Sequence, residues 1–296
     1  MNRKFNRNCK KHLEVIHDGK NKQRPILIIG GTGKTGRRVA QRLLNRGIPV
    51  RIGSRTGKPP FNWNHTDSWK SILEGIGAVY ITYYPDLAAS GAVDAVGEFA
   101  KLAVQNGVKR LVLLSGRGEE EAQRSEKALQ DSGADWTILR SSWFAQNFSE
   151  HFLLGPVLSG TIALPVGDVK EPFIDVEDIA DVAVATLTDT KHIGEIYELS
   201  GPRSLTFSEV TKEISIASGR EIQYMNIPIE LFITELKQQS MPDEVISLMI
   251  ELFTEVLDGR NSHVVNGVER VLGRAPRDFS DYAKSAAATG IWDGRK

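Results

Sequence analysis

The feature that most constrains this chain is a glycine run, Gly30-Gly31-Thr32-Gly33-Lys34-Thr35-Gly36, placed directly after the apolar residues Ile26–Ile29. Lys34–Arg46 follows with Val39, Leu43 and Leu44 at helical spacing and is closed by Gly47, so the segment reads strand, tight turn, helix. The run satisfies both G-x-G-x-x-G (Gly31, Gly33, Gly36) and G-x-x-G-x-x-G (Gly30, Gly33, Gly36). Glycines there permit a sharp turn and bring backbone N–H groups close to a pyrophosphate at the positive end of the helix. The rival motif, a nucleoside-triphosphate loop ending in Gly33-Lys34-Thr35, needs a glycine five residues before Gly33, and Ile28 stands there instead. Gly30, Thr32, Gly33, Lys34, Thr35 and Gly36 are therefore expected to form the phosphate cradle of a dinucleotide.

Short β-rich runs alternate with helical ones beyond the loop. Val50–Ser54, Ala78–Thr82, Arg110–Ser115 and Trp136–Arg140 read as strands, with helices near Val93–Gln105 and Glu119–Ser132. Parallel strands need crossover connections, so the alternation predicts a doubly wound α/β (Rossmann) sheet covered on both faces. After Ser141 the pattern loosens: Gly155–Gly167 is rich in Gly and Pro, Leu205–Ala217 and Pro242–Leu257 read as helices, and Thr206 with Glu209 has capping-box spacing. A strand returns near 196–200, which predicts a smaller C-terminal substrate region interleaved with the sheet. The expected organisation is a flexible basic tail at 1–24, a dinucleotide-binding core at 25–142 plus that strand, and a mainly substrate-binding region at 143–296.

Charge sharpens this outline. The 37 basic and 37 acidic residues of the 296 cancel, so no global field recruits nucleic acid. Residues 1–24 carry +6 and lack the apolar core of a secretory signal. A flexible tail is expected there, with a targeting or polyanion-binding role as the alternative. No apolar run approaches the roughly 18 residues that a membrane span needs. The single cysteine, Cys9, excludes an internal disulfide and is consistent with a reducing, cytoplasmic setting. No His/Asp/Glu spacing suggests a metal site, and His65 and His151 stand isolated.

Cofactor choice turns on the end of the second strand, where an NAD site places an acid for the ribose hydroxyls. Here the chain reads Arg51-Ile52-Gly53-Ser54-Arg55, and no acid occurs between Gly19 and Thr66. Arg55, with Arg51 or Lys34 as alternatives, is the expected partner of a 2′-phosphate, through charge-assisted hydrogen bonds of roughly 1.5–3 kcal/mol each. NADP(H) is the expected cofactor.

Several motifs together carry a family resemblance. They are the glycine loop, Phe61-Asn62-Trp63, Leu113-Leu114-Ser115, Ser125-Glu126-Lys127-Ala128-Leu129, Trp136-Thr137-Ile138-Leu139-Arg140, Trp143 to Phe148, Phe173 to Ala180, and Tyr197 to Pro202. In this order they resemble the NmrA-like group of atypical short-chain dehydrogenases/reductases, over about residues 25–292. The resemblance implies an NADP-binding Rossmann domain closed by a smaller C-terminal region. It also implies activities ranging from quinone, azo-dye, triphenylmethane and iminium reduction to dinucleotide binding without turnover. It places Asn62 near adenine, where the family motif has Asp. Ser115 stands at a strand's carboxyl edge, where open α/β sheets bind ligands, and is expected to contact the cofactor without acting as a nucleophile. Asp178 is expected to be a helix N-cap.

The catalytic Tyr-x-x-x-Lys of ordinary short-chain dehydrogenases occurs nowhere in the chain. Alignment through the resemblance puts Ala122 at the Tyr position and Glu126 at the Lys position, and neither residue can do that work. General acid–base help is worth about 10²–10⁴-fold, so an ordinary ketone is a poor acceptor for such a site. A quinone or an iminium ion needs less help, and reduction of an electron-poor small molecule by NADPH is the expected function, with the catalytic residues unassigned. Tyr83 and Tyr84, after Ala78–Thr82, and Trp143, Phe144 and Asn147, after Trp136–Arg140, are expected to line its pocket, with Asn261–Trp292 as a wall. The alternative is a non-catalytic NADP(H)-binding redox sensor that acts on a protein partner. A protein that binds or cyclises its substrate without redox chemistry is a third class. The physiological acceptor and the oligomeric state are left open.

Overall fold

Residues 26–29 are buried on both sides, as a central strand of a covered sheet must be. The computed structural model describes residues 23–150 and 152–294. The basic segment 1–22, Cys9 and His151 lie outside the described residues.

The chain runs β1 (Ile26–Ile29), α1 (Lys34–Asn45), β2 (Val50–Gly53), α2 (Trp69–Leu73), β3 (Ala78–Ile81), α3 (Ala92–Gln105), β4 (Arg110–Gly116), α4 (Glu120–Gln130) and β5 (Asp135–Ser141). It continues through α5 (Asn147–Glu150), α6 (Leu154–Ser159), β6 (Thr161–Leu164), β7 (Lys170–Glu171), α7 (Val176–Thr188) and β8 (Glu195–Leu199). The remainder is β9 (Leu205–Thr206), α8 (Phe207–Ser218), β10 (Gln223–Asn226), α9 (Ile229–Gln238), α10 (Asp243–Glu251), α11 (Gly267–Leu272) and α12 (Phe279–Ala288).

Six strands form one parallel sheet in the order β2-β1-β3-β4-β5-β8. Alternate residues supply its two faces. Leu27, Ile29, Val79, Ile81, Leu111 and Leu113 pack under α3 and α4, while Ile26, Ile28, Tyr80, Val112 and Leu139 pack under α1 and α7. The winding reverses between β1 and β3, which makes the carboxyl ends of these neighbours the crevice where open α/β sheets take ligands.

The C-terminal region has its own apolar core, around Phe148, Phe173, Phe207, Phe253, Phe279 and Trp292. Two small sheets, parallel β6/β10 and antiparallel β7/β9, serve as its frame. β6 and β7 precede β8 in the chain, so this region is threaded between strands of the main sheet. The Thr206/Glu209 capping box forms, with Glu209 N donating to Thr206 Oγ1 at 3.1 Å and Thr206 N to Glu209 Oε2 at 2.8 Å. The N-cap of α7 corrects the sequence reading. It is Asp175, which accepts from Glu177 N at 2.9 Å. Asp178 lies within the first turn, fully buried, and accepts from the backbone N–H of Arg277 at 2.6 Å and from the guanidiniums of Arg274 and Arg277.

Candidate cofactor and acceptor site

The glycine loop turns where no side chain fits. Gly30 has φ +69°, and a Cβ there would lie 2.2 Å from Thr82 Oγ1, so β1 and β3 approach through this residue. At Gly36 a Cβ would lie 2.3 Å from the Gly30 carbonyl oxygen, which lets α1 begin directly against the loop. Gly33 occupies the N-cap of α1 without a side-chain cap, and no acid stands in the first turn. The N-terminal N–H groups of α1 are thus open to an anion, as a pyrophosphate cradle requires. Thr35 is buried and Thr32 exposed.

Lys34 joins the loop to the far side of the crevice. Its ammonium donates to Asn147 Oδ1 at 2.8 Å and sits 5.6 Å from the centre of the Phe144 ring. Burial lowers its pKa to about 8, with Arg37 adding to the effect and Glu150 opposing it. The sequence reading set Lys34 with the cofactor and Phe144 and Asn147 with the acceptor, and the structure makes the three one contact. Residues after β5 are held by Ala145 N donating to the Ile174 carbonyl at 2.8 Å and Ile174 N to the Trp143 carbonyl at 2.9 Å. Trp143 turns toward the C-terminal core, with its ring 5.4 Å from Phe253 and 6.1 Å from Phe207.

At the end of β2 the three cations separate. Arg51 donates to the carbonyls of Ile72 at 2.7 Å and Glu74 at 2.8 Å, so its guanidinium is committed to the end of α2. Lys34 faces Asn147. Arg55 stands exposed on the rim, 6.0 Å from the ring of Tyr84, which is 76% exposed. Asn62 uses its side-chain oxygen in a turn, accepting from Asn64 N at 3.1 Å, while its backbone carbonyl accepts from Trp69 Nε1 at 2.9 Å. The neighbouring Phe61 and Trp63 pack with Trp69 and Phe99, and Tyr83 lies 4.9 Å from Trp63 at the edge of this aromatic cluster.

Ser115, at the carboxyl end of β4, is buried and donates to Glu126 Oε1 at 2.7 Å. Glu126 is 1% exposed and is held by Arg140 through contacts of 2.6, 2.9 and 3.1 Å. Glu126, which the resemblance sets against the lysine of ordinary short-chain dehydrogenases, is thus a carboxylate that carries its own cation, and Ala122 is fully buried. Arg117, also buried, donates to Ser142 Oγ at 2.9 Å and to the carbonyls of Asn261 and His263 at 3.3 Å. It pins the start of the 261–292 segment to the end of β4. The other end of that segment lies elsewhere: Trp292 is buried and donates to the Phe148 carbonyl at 2.9 Å, inside the C-terminal core.

Sequence reasoning missed two acids, Asp86 in the loop after β3 and Glu119 in the loop after β4. Their carboxyls are hydrogen-bonded to each other. Burial and then the charge of Asp86 push Glu119 well above the ordinary glutamate range, with Glu251 and Glu126 adding to the shift. Burial raises Asp86 as well, against hydrogen bonds from backbone N–H groups. Both follow neighbouring strands at the sheet's carboxyl edge, and that placement was the signal available in the sequence. His65 is exposed and supplies only its carbonyl, to Ser68 Oγ at 2.6 Å.

A sequence model of the NmrA-like family matches residues 22–283. An uncharacterized oxidoreductase of Bacillus subtilis (strain 168) is 32% identical over 287 residues, covering 92% of this chain and 99% of its own. An NAD(P)H azoreductase of Xenophilus azovorans is 28% identical over 288 residues, covering 89% and 98%. Among solved structures, an NADPH-dependent quinone oxidoreductase of Escherichia coli complexed with NADPH superposes with a TM-score of 0.74 at 20% identity, over 88% of this chain and 99% of that one. Among the described residues no helix is long and apolar enough to cross a membrane.

Proposed function

The chain belongs to the NmrA-like family, and from that premise we propose that it is an NADPH-dependent oxidoreductase passing hydride to an electron-poor small molecule, quinone-like or iminium, without a Tyr/Lys pair. The observation that carries this reading is the continuity from the uncapped N-terminus of α1, through Lys34, to Asn147 and Phe144 beyond the crevice. A dinucleotide lying along the carboxyl ends of β1 and β3 would bring its reactive ring to that far side. Relatives that are an NAD(P)H azoreductase and an agroclavine dehydrogenase support the same class of chemistry.

In this reading the Gly30–Gly36 backbone holds the pyrophosphate, Arg55 the 2′-phosphate, and the edge of Asn62 the adenine. When bound, NADPH supplies the hydride. Asn147 fixes Lys34, and Lys34 in turn keeps Phe144 against the loop, so that a flat acceptor meets a ring already in place. Tyr83 and Tyr84 flank the opposite side of the mouth. Ser115 has its hydrogen committed to Glu126, so toward a ligand it presents lone pairs and not a donor. Such a group serves the carboxamide or an N–H better than it serves the developing alkoxide of a ketone, and this favours acceptors that delocalise the incoming charge.

The test is turnover with purified protein. NADPH oxidation should run faster with a simple quinone than with any ketone. Tight NADPH binding with no turnover on any quinone, azo compound or iminium would favour the redox-sensor alternative. Arg55→Ala should weaken NADPH about tenfold or more, as expected for one lost charge-assisted hydrogen bond, and NADH far less. Equal losses for the two coenzymes would remove the 2′-phosphate assignment.

A further inference from the structure

We propose that Glu119, hydrogen-bonded to Asp86, is the proton donor that takes over the work of the missing tyrosine, serving acceptors that must gain a proton as well as a hydride. The proposal rests on the reductase reading and adds a catalytic residue to it.

Position is the first ground. A helical side chain leans toward the N-terminus and covers the turn before its own Cα. A tyrosine at 122 would therefore reach back over residues 118–119, and the carboxyl of Glu119 occupies that turn. It lies flat on the α-carbon of Gly116, where a Cβ would be 2.1 Å from Glu119 Oε1. Gly116 is the last residue of β4, next to Ser115, so the carboxyl stands at the same sheet edge as the expected cofactor contact.

Bonding is the second ground. Glu119 holds the N-cap position of α4, where a carboxylate ordinarily accepts from the first-turn N–H groups, yet its side chain caps nothing. It turns instead to Asp86, across the end of the sheet. Two acids at hydrogen-bond distance share one proton, because both cannot ionise there. Which of them keeps it follows from their neighbours. Asp86 Oδ1 accepts from Ala88 N at 2.9 Å, a bond that stabilises the charged form. The charges that act most on Glu119 are acidic: Asp86 from the loop after β3, Glu251 from α10, and Glu126 from α4, the last already paired with Arg140. Of the nearby guanidiniums, Arg117 pairs with His263 and Glu198, and Arg260 pairs with Asp258 while also donating to the Gly118 carbonyl at 3.4 Å, with no ion pair to Glu119. Asp86 is therefore the anion and Glu119 the acid, raised in pKa by burial first and by Asp86 second.

The chemistry balances with NADPH as the only reductant. A quinone or azo compound receives two electrons and one hydrogen as hydride, which leaves NADP⁺. The negative oxygen or nitrogen so formed takes the Glu119 proton, and water reprotonates Glu119. A cationic acceptor is neutralised by hydride alone and needs no such donor.

The test has two readouts. Infrared pH titration of the cofactor-free protein should show a carboxylic acid still protonated above neutral pH. It should vanish in Glu119→Gln and titrate at lower pH in Asp86→Asn. In turnover with NADPH, Glu119→Gln should slow a quinone or azo acceptor by roughly 10²–10⁴-fold. It should also abolish the fall in rate at high pH, and the loss with a cationic iminium or triarylmethyl acceptor should be at least about tenfold smaller. Gly116→Ala displaces only the far end of Glu119 and should reproduce the selective loss. Absence of a carboxyl protonated above neutral pH, or equal losses for the two acceptor kinds, overturns this role while leaving the reductase reading intact. A wild type that binds NADPH and reduces nothing overturns both.

Discussion

Two clusters of charge flank the crevice, and they are built in opposite ways. Behind the glycine loop, Arg37, Arg38 and Arg42 on α1 face Glu150 on α5 and Glu177 and Asp181 on α7, and Arg274 and Arg277 close the row on Asp178 and Asp181. Burial disfavours the charges of Glu150, Glu177 and Asp181, but the guanidiniums outweigh it and hold all three below their ordinary values. At the mouth, Asp86, Glu119 and Glu251 draw together with no ion pair among the described residues and are all raised, burial being the first cause in each. A matched row fixes α1 against α7 and keeps Glu150, Glu177 and Asp181 ionised. An unmatched group stores a proton, which is what a site that lacks the usual acid needs.

The contrast can be sharpened where one mouth acid does carry a cation. Arg140→Met leaves the buried Glu126 carboxylate alone and should cost about 3–5 kcal/mol in denaturant unfolding. Adding Glu126→Gln should recover much of that loss, and no recovery would mean that Arg140 acts through packing and not charge.

The pH dependence of stability should have opposite arms for the two kinds of group. Glu150 is lowered in the folded state, so its contribution is present above its ordinary 4.5 and is lost as pH falls through the folded value. Glu171 is buried behind Trp143 N, which donates to it at 3.2 Å, and burial pushes it up to about 7. Its contribution is present below 4.5 and is lost as pH rises toward 7. Unfolding curves across this range should show Glu150→Gln flattening the acid arm and Glu171→Gln flattening the decline toward neutrality. The reverse assignment would break the comparison. The smallest effect belongs to Arg37, whose side chain is 45% exposed. Arg37→Ala should cost less than about 1 kcal/mol, and less again in high salt.

What was legible in the sequence follows from distance along the chain. The glycine loop, the alternation behind the parallel sheet and the Thr206/Glu209 cap each lie within a few residues of their own signal. Asp178 was misplaced as a cap because capping is local while its partners, Arg274 and Arg277, are nearly a hundred residues away. Lys34 and Asn147, 113 positions apart, were expected in different subsites and proved to be one contact. Arg51 stood as an alternative to Arg55 at the end of β2, and the carbonyls of Ile72 and Glu74, more than twenty residues on, hold its guanidinium.

By itself, then, the amino-acid order determined a tight glycine turn between strand and helix, a covered parallel sheet and the absence of the Tyr-x-x-x-Lys spacing, because each depends on backbone conformation or on residue identity at short spacing. Only the tertiary structure decided which charges are neutralised and which are left to hold a proton. A group's ionisation depends on burial and on neighbours within a few ångströms, and here those neighbours come from different strands and from the C-terminal helices.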